Sequence, residues 1–286
     1  MTGGSGQVGG ALAALARARG GDVWAPGRGE CDLASEASLV AAVARGAWSM
    51  VVNCAAYTAV DRAESEPELA RAINAMAPAI LARETARRGI PIVHVSTDYV
   101  FDGSKDAPYV ESDPVRPLGV YGETKEAGEA AVRAANPAHA IVRTAWVASA
   151  GGANFLNTML RLGAERPELR VVDDQIGCPS NAVDIASALF TVASELGGRS
   201  GTWHFVNAGE ASWHDFAAHI FLRAGERGLR VPNLAPITTA EYPTPARRPA
   251  NSRLDTAKIT ADFGIAPRPW KDAIDDILAE RLGREV

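Results

Sequence analysis

A doubly wound α/β fold is the architecture this sequence predicts, and three observations predict it. Strand-like and helix-like segments alternate through the first half of the chain. The strand candidates are apolar on both faces, as in a parallel sheet covered by helices. A glycine-rich turn with Gly3, Gly6 and Gly9 spaced G-x-x-G-x-x-G opens the first helix. Right-handed crossovers between such strands make the doubly wound sheet the default topology.

In chain order, VGGALAALARARG has helical apolar spacing and stops at Gly20 and Gly21. DVWA is a short strand closed by Pro26 and Gly27. SEASLVAAVARG reads as a helix capped by Ser35. SMVVNCAA is a buried strand, and PELARAINAMAPAILARETARRG is a long helix that Pro78 should bend or interrupt. PIVHVSTDYVF, GETKEAGEAAVRAA and HAIVRTAWV follow as strand, helix and strand. After Val147 the texture changes to short pieces, such as LRVVDDQ and TWHFVNAG, between Pro-rich loops. The expected division is a dinucleotide-binding unit over 1–146, with segments around 180–208 returning to it, and a smaller, interleaved substrate lobe over 147–286.

Composition narrows the function classes. The 286 residues exceed one ordinary domain of roughly 100–200 residues. A net charge of −5 offers no electrostatic case for nucleic acid or an anionic membrane. No apolar run reaches the ~18 residues of a spanning helix. Cys31, Cys54 and Cys178 form no C-x-x-C pair, which suits a reducing compartment, so the expectation is a cytoplasmic protein. His214 and His219 lie five apart rather than four, and Asp275, Asp276 and Glu280 read as a solvated helix face, so no required metal is expected.

Three motifs carry chemistry. The glycine turn would let backbone N–H groups approach a pyrophosphate at a helix N-terminus. Only Met1 and Thr2 precede it, too few for the expected first strand, and the expected explanation is a start upstream of Met1. At the end of the second strand, where an acid would hold a free ribose 2′-hydroxyl, stands Arg28, which suits the 2′-phosphate of NADPH better than NADH; Asp32 and Leu33 follow near the adenine. Tyr121 and Lys125 form Y-x-x-x-K, sharing one helix face, where an ammonium should lower the phenol's pKa. Ser96, Thr97 and Asp98 end the PIVHV strand, where ligands of open α/β sheets bind.

Together with AAYTAVDRAESEPE, STDYVFDG, VYGETKEAGE, IVRTAWV, DDQIGCPS and YPTPARRPANSRLDTAK, these motifs resemble the dTDP-4-dehydrorhamnose reductase family of extended short-chain dehydrogenase/reductases, from Gly3 into the last helix. The resemblance implies a Rossmann-like fold and reduction of the 4-keto group of dTDP-4-dehydro-β-L-rhamnose with NADPH or NADH. It implies Tyr121 as proton donor, Lys125 as the residue that tunes it and holds the nicotinamide ribose, and Thr97 as hydrogen-bond donor to the keto oxygen. Gly6, Gln7 and Val8 would line the pyrophosphate, Val95, Ala56, Tyr57 and Thr58 would border the cofactor, and Asp98 and Trp146 would touch the sugar nucleotide. The arginines of TPARRPANSR (Arg247, Arg248 and Arg253) are weaker candidates for the diphosphate and thymidine side, as is the GCPS loop. The alternatives are a reductase or epimerase of another nucleotide sugar, and a non-catalytic NADP-binding regulatory subunit; a homodimer is an open state of assembly.

Overall fold

A computed structural model describes residues 1–283. Helices α1 (Gln7–Ala18) and α2 (Glu36–Ala44) precede strand β1 (Val51–Asn53). Helices α3 (Val60–Ala63), α4 (Pro67–Arg71) and α5 (Ala77–Ala86) then lead to β2 (Ile92–Thr97). Next come α6 (Val120–Ala135), β3 (His139–Thr144), β4 (Val147–Ala148) and α7 (Phe155–Glu165). Strands β5 (Glu168–Val172), β6 (Ile176–Gly177) and β7 (Ser180–Asn181) precede α8 (Ala182–Glu195). The chain continues through β8 (Gly201–His204), β9 (Ala211–Ser212), α9 (Trp213–Glu226) and β10 (Asn233–Ile237). Helices α10 (Ala257–Phe263) and α11 (Trp270–Gly283) close the described chain.

The main sheet is parallel, in the order β1-β2-β3-β8, with Val51 opposite Ile92 and Thr97 opposite Thr144. Both faces are covered, as apolar strands require. Leu12 of α1, Leu189 of α8 and Trp203 of β8 pack with Val93 and Val142 on one side, while Leu39, Leu81 and Val132 pack with Ile92 and Ile141 on the other. A second core joins α7, α9 and α11 through Leu156, Phe216, Ile220 and Ile274. No described helix is long and apolar enough to cross a membrane.

Two expected elements differ, each for a physical reason. The long helix is interrupted not at Pro78 itself but one turn earlier, by a π-helical turn over Ala72–Met76. A proline ring cannot donate a backbone hydrogen bond and crowds the preceding turn, so the widened turn accommodates it. DVWA forms no strand, because its ladder partner would be the two residues Met1 and Thr2. Met1 donates its ammonium to Trp24 O at 2.6 Å, and Thr2 N donates to Val52 O at 2.9 Å, forming one parallel bridge to Asn53.

Beside that bridge lies a cavity of about 290 Å³ lined by Met1, Leu12, Trp24, Val43, Val52 and Phe190. Val51 N donates to Pro91 O across the sheet, so strand alternation turns the Val52 N–H towards the cavity. Prepending four apolar residues to Met1 should fill this slot as a strand between β1 and Asp22–Ala25. The expected gain is about 2 kcal/mol, or roughly 5 °C in Tm, after the ordering cost. Thermal denaturation of the parent and extended chains checks it, and an unchanged or lower Tm would refute the strand-shaped reading of the cavity.

Candidate functional site

The carboxyl ends of β1, β2 and β3 lie along one edge of the parallel sheet, and each delivers a segment singled out in the sequence. Ala56, Tyr57 and Thr58 follow β1, Thr97 and Asp98 end β2, and Trp146 lies two residues past β3. Crevices at this edge are where open α/β sheets take ligands.

The glycine turn meets the chain just after β1. Gly3 has φ +73°, and a Cβ there would lie 2.7 Å from Ala55 N. A Cβ on Gly9 would run into the Gly3 carbonyl oxygen. These glycines let α1 begin against the β1 loop. Gly6 is the N-cap of α1 and supplies no side-chain acceptor, so the first N–H groups of the helix, near Gln7 and Val8, are presented to a ligand. This cradle fits a pyrophosphate. Gln7 Oε1 also accepts from Ser149 Oγ at 2.6 Å and Asn154 Nδ2 at 2.8 Å, tying the turn to the loop before α7.

Arg28 is four-fifths exposed, with Nε 3.9 Å from Asp32. Asp32 itself accepts from Ala34 N at 3.1 Å, and Leu33 packs against the α2 core. Arg28 can therefore turn to an anion at little cost, since an exposed ion pair of this length is weak.

The tyrosine and lysine sit in the first two turns of α6. Val120 N donates to Glu64 Oε1 at 2.9 Å, which caps the helix from outside. Gly122 packs on the Tyr99 carbonyl so closely that a Cβ would overlap it. The Tyr121 ring meets Tyr99 edge-on at 5.4 Å. Lys125 is fully buried and donates from Nζ to Val95 O at 2.7 Å.

The electrostatics correct one expectation. The Tyr121 phenol is not lowered: burial pushes it up to about 12, the neighbouring Thr97 hydroxyl pulls the other way, and the Asp98 charge adds to the rise. Burial takes Lys125 down to about 8, against the charge of Glu129. Desolvation dominates the Tyr121 shift, and the Lys125 ammonium is directed instead to the Val95 carbonyl. Burial likewise raises Asp98 to about 6, opposed by the nearby Ser252 and Thr97 hydroxyls. Asp98 Oδ1 accepts from Thr97 Oγ1 at 2.9 Å, while Oδ2 is buried with no hydrogen-bond partner among the described residues. An orphaned carboxylate oxygen at the carboxyl end of β2 matches a site for a hydroxylated ligand.

Asn74 escaped the sequence reading. The π turn swings its side chain into the core, where Oδ1 accepts from Tyr57 N at 2.8 Å. Its Nδ2 donates to Tyr57 O at 3.1 Å and to Thr124 Oγ1 at 3.2 Å, fastening the β1 loop to α6. A lone amide inside the apolar AINAMAP stretch was the available signal.

Other expected residues are engaged elsewhere. Arg248 is paired with Asp61, Nη2 to Oδ2 at 2.8 Å, while Arg247 is exposed. Asp275 is no solvated face residue, since it accepts from His219 Nε2 at 2.9 Å and Arg223 Nε at 3.0 Å. Asp173, His214 and Asp215 bring one potential ligand atom each within 4.8 Å at the surface. Asp173 already accepts from Ser212 Oγ there, and Asp215 completes the α9 capping box.

Trp146 has φ +46°, the only positive φ outside glycine among the described residues. Such a conformation costs on the order of 1–3 kcal/mol and persists only where surrounding packing holds it. It ends the β3 segment early, at Thr144, where HAIVRTAWV predicted one continuous strand.

Comparison with known proteins adds the relatives. The family model described as the RmlD substrate binding domain matches residues 1–282. A dTDP-4-dehydrorhamnose reductase of Sinorhizobium fredii is 45% identical over 279 residues, covering 96% of this chain and 94% of the relative. The crystal structure of a dTDP-4-dehydrorhamnose reductase from Clostridium acetobutylicum superposes with a TM-score of 0.93 at 37% identity, covering 98% of this chain and 97% of the other. The corresponding Bacillus anthracis enzyme, solved in complex with NADP, gives a TM-score of 0.91 at 33% identity with the same coverages.

Proposed function

The chain belongs to the dTDP-4-dehydrorhamnose reductase family, and from that premise we propose that it reduces the 4-keto group of dTDP-4-dehydro-β-L-rhamnose to give dTDP-β-L-rhamnose, the last step in making that sugar nucleotide. The observation that carries the reading is the gathering of Thr97, Tyr121 and Lys125, all buried, beside Asp98 at the carboxyl end of β2. A bound nicotinamide cofactor supplies the hydride.

Each residue then has a task set by its surroundings. A phenol at about 12 is fully protonated at neutral pH, the state that a donor to a nascent alkoxide requires. On substrate binding the Thr97 hydroxyl turns its one proton from Asp98 Oδ1 to the keto oxygen and polarises the carbonyl. Lys125 holds positive charge beneath the site, against which Tyr121 gives up its proton and the nicotinamide ribose is held. Asp98 Oδ2 accepts from a sugar hydroxyl, and Trp146 walls the sugar. Gly3, Gly6, Gln7, Val8 and Gly9 hold the pyrophosphate, Asp32 and Leu33 flank the adenine, and Val95 with Ala56, Tyr57 and Thr58 borders the nicotinamide half. Arg28 favours NADPH through the 2′-phosphate. On this reading the enzyme works in the cytoplasm, and its three unpaired cysteines suit a reducing compartment.

The test is to generate dTDP-4-dehydro-L-rhamnose in situ and follow absorbance with NADPH and NADH in parallel. Oxidation with either cofactor, faster with NADPH at low concentration, is expected. No oxidation with either would sink the reading, and equal preference would remove the role given to Arg28.

Lys125 sets a pH dependence. Its ammonium is lost as pH rises through about 8, so kcat/KM should decline above that value. Folding lowers this group from 10.5 to about 8, so between those values the unfolded chain holds the proton that the folded chain has shed. The cost of burying the ammonium is therefore present below about 8 and lifts between about 8 and 10.5. A pH–rate profile flat to pH 10 would contradict the assignment.

A further inference from the structure

We infer that Trp213 is a positioning residue for the sugar nucleotide, acting through Trp146; the inference rests on the reductase reading above. The two indoles stack with ring centroids 3.5 Å apart and planes 7° from parallel. The Trp146 ring also abuts Gly177, where a Cβ would collide with the indole at Cε2 and Nε1. One small ladder sets both supports. Strands β6 and β9 pair antiparallel, Gly177 opposite Ala211 and Ile176 opposite Ser212, and Trp213 follows directly as the first residue of α9.

Trp213 is itself held from three directions. The capping box of Ser212 and Asp215 fixes the start of its helix, and Phe155 packs tilted against its ring at 4.7 Å. Its Nε1 donates to Gln175 Oε1 at 3.2 Å, and Gln175 Nε2 donates to Thr239 Oγ1 at 2.9 Å. Trp146 thus bridges the core behind Thr97, around Phe101 and Val206, and the core of the second lobe. An indole in a left-handed backbone conformation beside the catalytic edge needs such backing. Trp213 and Gly177 provide it and fix the depth of the apolar wall offered to the deoxysugar.

The experiment compares Trp213→Ala, Trp213→Phe, Trp146→Ala and the double alanine variant of the full chain saturated with NADPH. Trp213→Ala should raise KM for dTDP-4-dehydro-L-rhamnose about tenfold, with kcat and NADPH affinity changed less than about threefold. Trp213→Phe should recover most of that affinity, and the double variant should be no worse than Trp146→Ala alone. The far-ultraviolet exciton couplet of the stacked indoles should vanish equally in both single alanine variants. Wild-type KM in Trp213→Ala, additive penalties, no recovery with phenylalanine, or a persisting couplet would each overturn the inference. If the unsubstituted protein leaves NADPH unoxidised with that sugar, it is the reductase reading that falls. The couplet and a thermal-denaturation cycle on the same variants then still decide whether Trp213 holds Trp146, through loss of the couplet with non-additive destabilisation or its persistence with additive destabilisation.

Discussion

Tyr121→Phe should lower turnover by about three orders of magnitude while leaving NADPH affinity close to that of the parent protein. The ring is packed edge-on against Tyr99 and buried, so removing one oxygen disturbs little of the fold. What is lost is the only phenol of the Tyr121–Lys125 pair, held neutral by burial and set beside Thr97. Water cannot readily substitute at a position this enclosed. Single-turnover measurements at saturating cofactor separate the effect on chemistry from binding. Turnover within threefold of the parent would mean that another group delivers the proton, and Asp98, raised to about 6 with an unpartnered oxygen, would be next to test.

Arg143→Met should destabilise the chain by about 3–5 kcal/mol, a fall of roughly 10 °C in Tm. Arg143 on β3 grips Glu129 on α6 with two hydrogen bonds, Nε to Oε1 at 2.8 Å and Nη2 to Oε2 at 2.7 Å. Their side chains are 3% and 0% exposed, so removing the guanidinium strands a carboxylate in the core, with only Arg133 left to pair it. Burial alone would raise Glu129, but the hydrogen bonds and charge of Arg143 win and hold it down to about 2. The folded pKa is depressed, so the pair's contribution is present above 4.5 and is lost as pH falls through about 2.

Replacing both partners, Arg143→Met with Glu129→Leu, should recover most of the lost stability, because a well-packed apolar pair replaces a buried ion pair at little cost. The double variant should still differ in catalysis. Glu129 lies one turn after Lys125 and raises its pKa, so without that charge the decline of kcat/KM should begin at lower pH. Chemical denaturation and a pH–rate profile check the two halves separately. A single variant as stable as the parent would refute the energetic role of the pair.

Much of this was legible in the sequence, for reasons that differ by residue. The strands over 92–97 and 139–144 are apolar on both faces, and only a covered parallel sheet buries both. Tyr121 and Lys125 are one helical turn apart, so their shared face follows from helix geometry alone. Thr97 and Asp98 end a strand, and the carboxyl ends of parallel strands form the ligand-binding edge. Period, spacing and element order determined these before any tertiary contact was known.

The remainder depended on the meeting of distant segments. Whether Tyr121 is raised or lowered turns on burial against the Thr97 hydrogen bond, and a linear sequence carries no measure of desolvation. Asn74 reaches Tyr57 and Thr124 only because Pro78 widens the preceding helical turn. Trp146 has a left-handed backbone and meets Gly177 and Trp213, 31 and 67 residues away, only in the folded chain. DVWA has strand composition, but its backbone contact is the single bond from the Met1 ammonium to Trp24 O, so it forms no ladder. Local propensity therefore determined the elements and the shared helix face of Tyr121 and Lys125, while protonation, side-chain placement and strain were decided by packing between residues far apart in the chain.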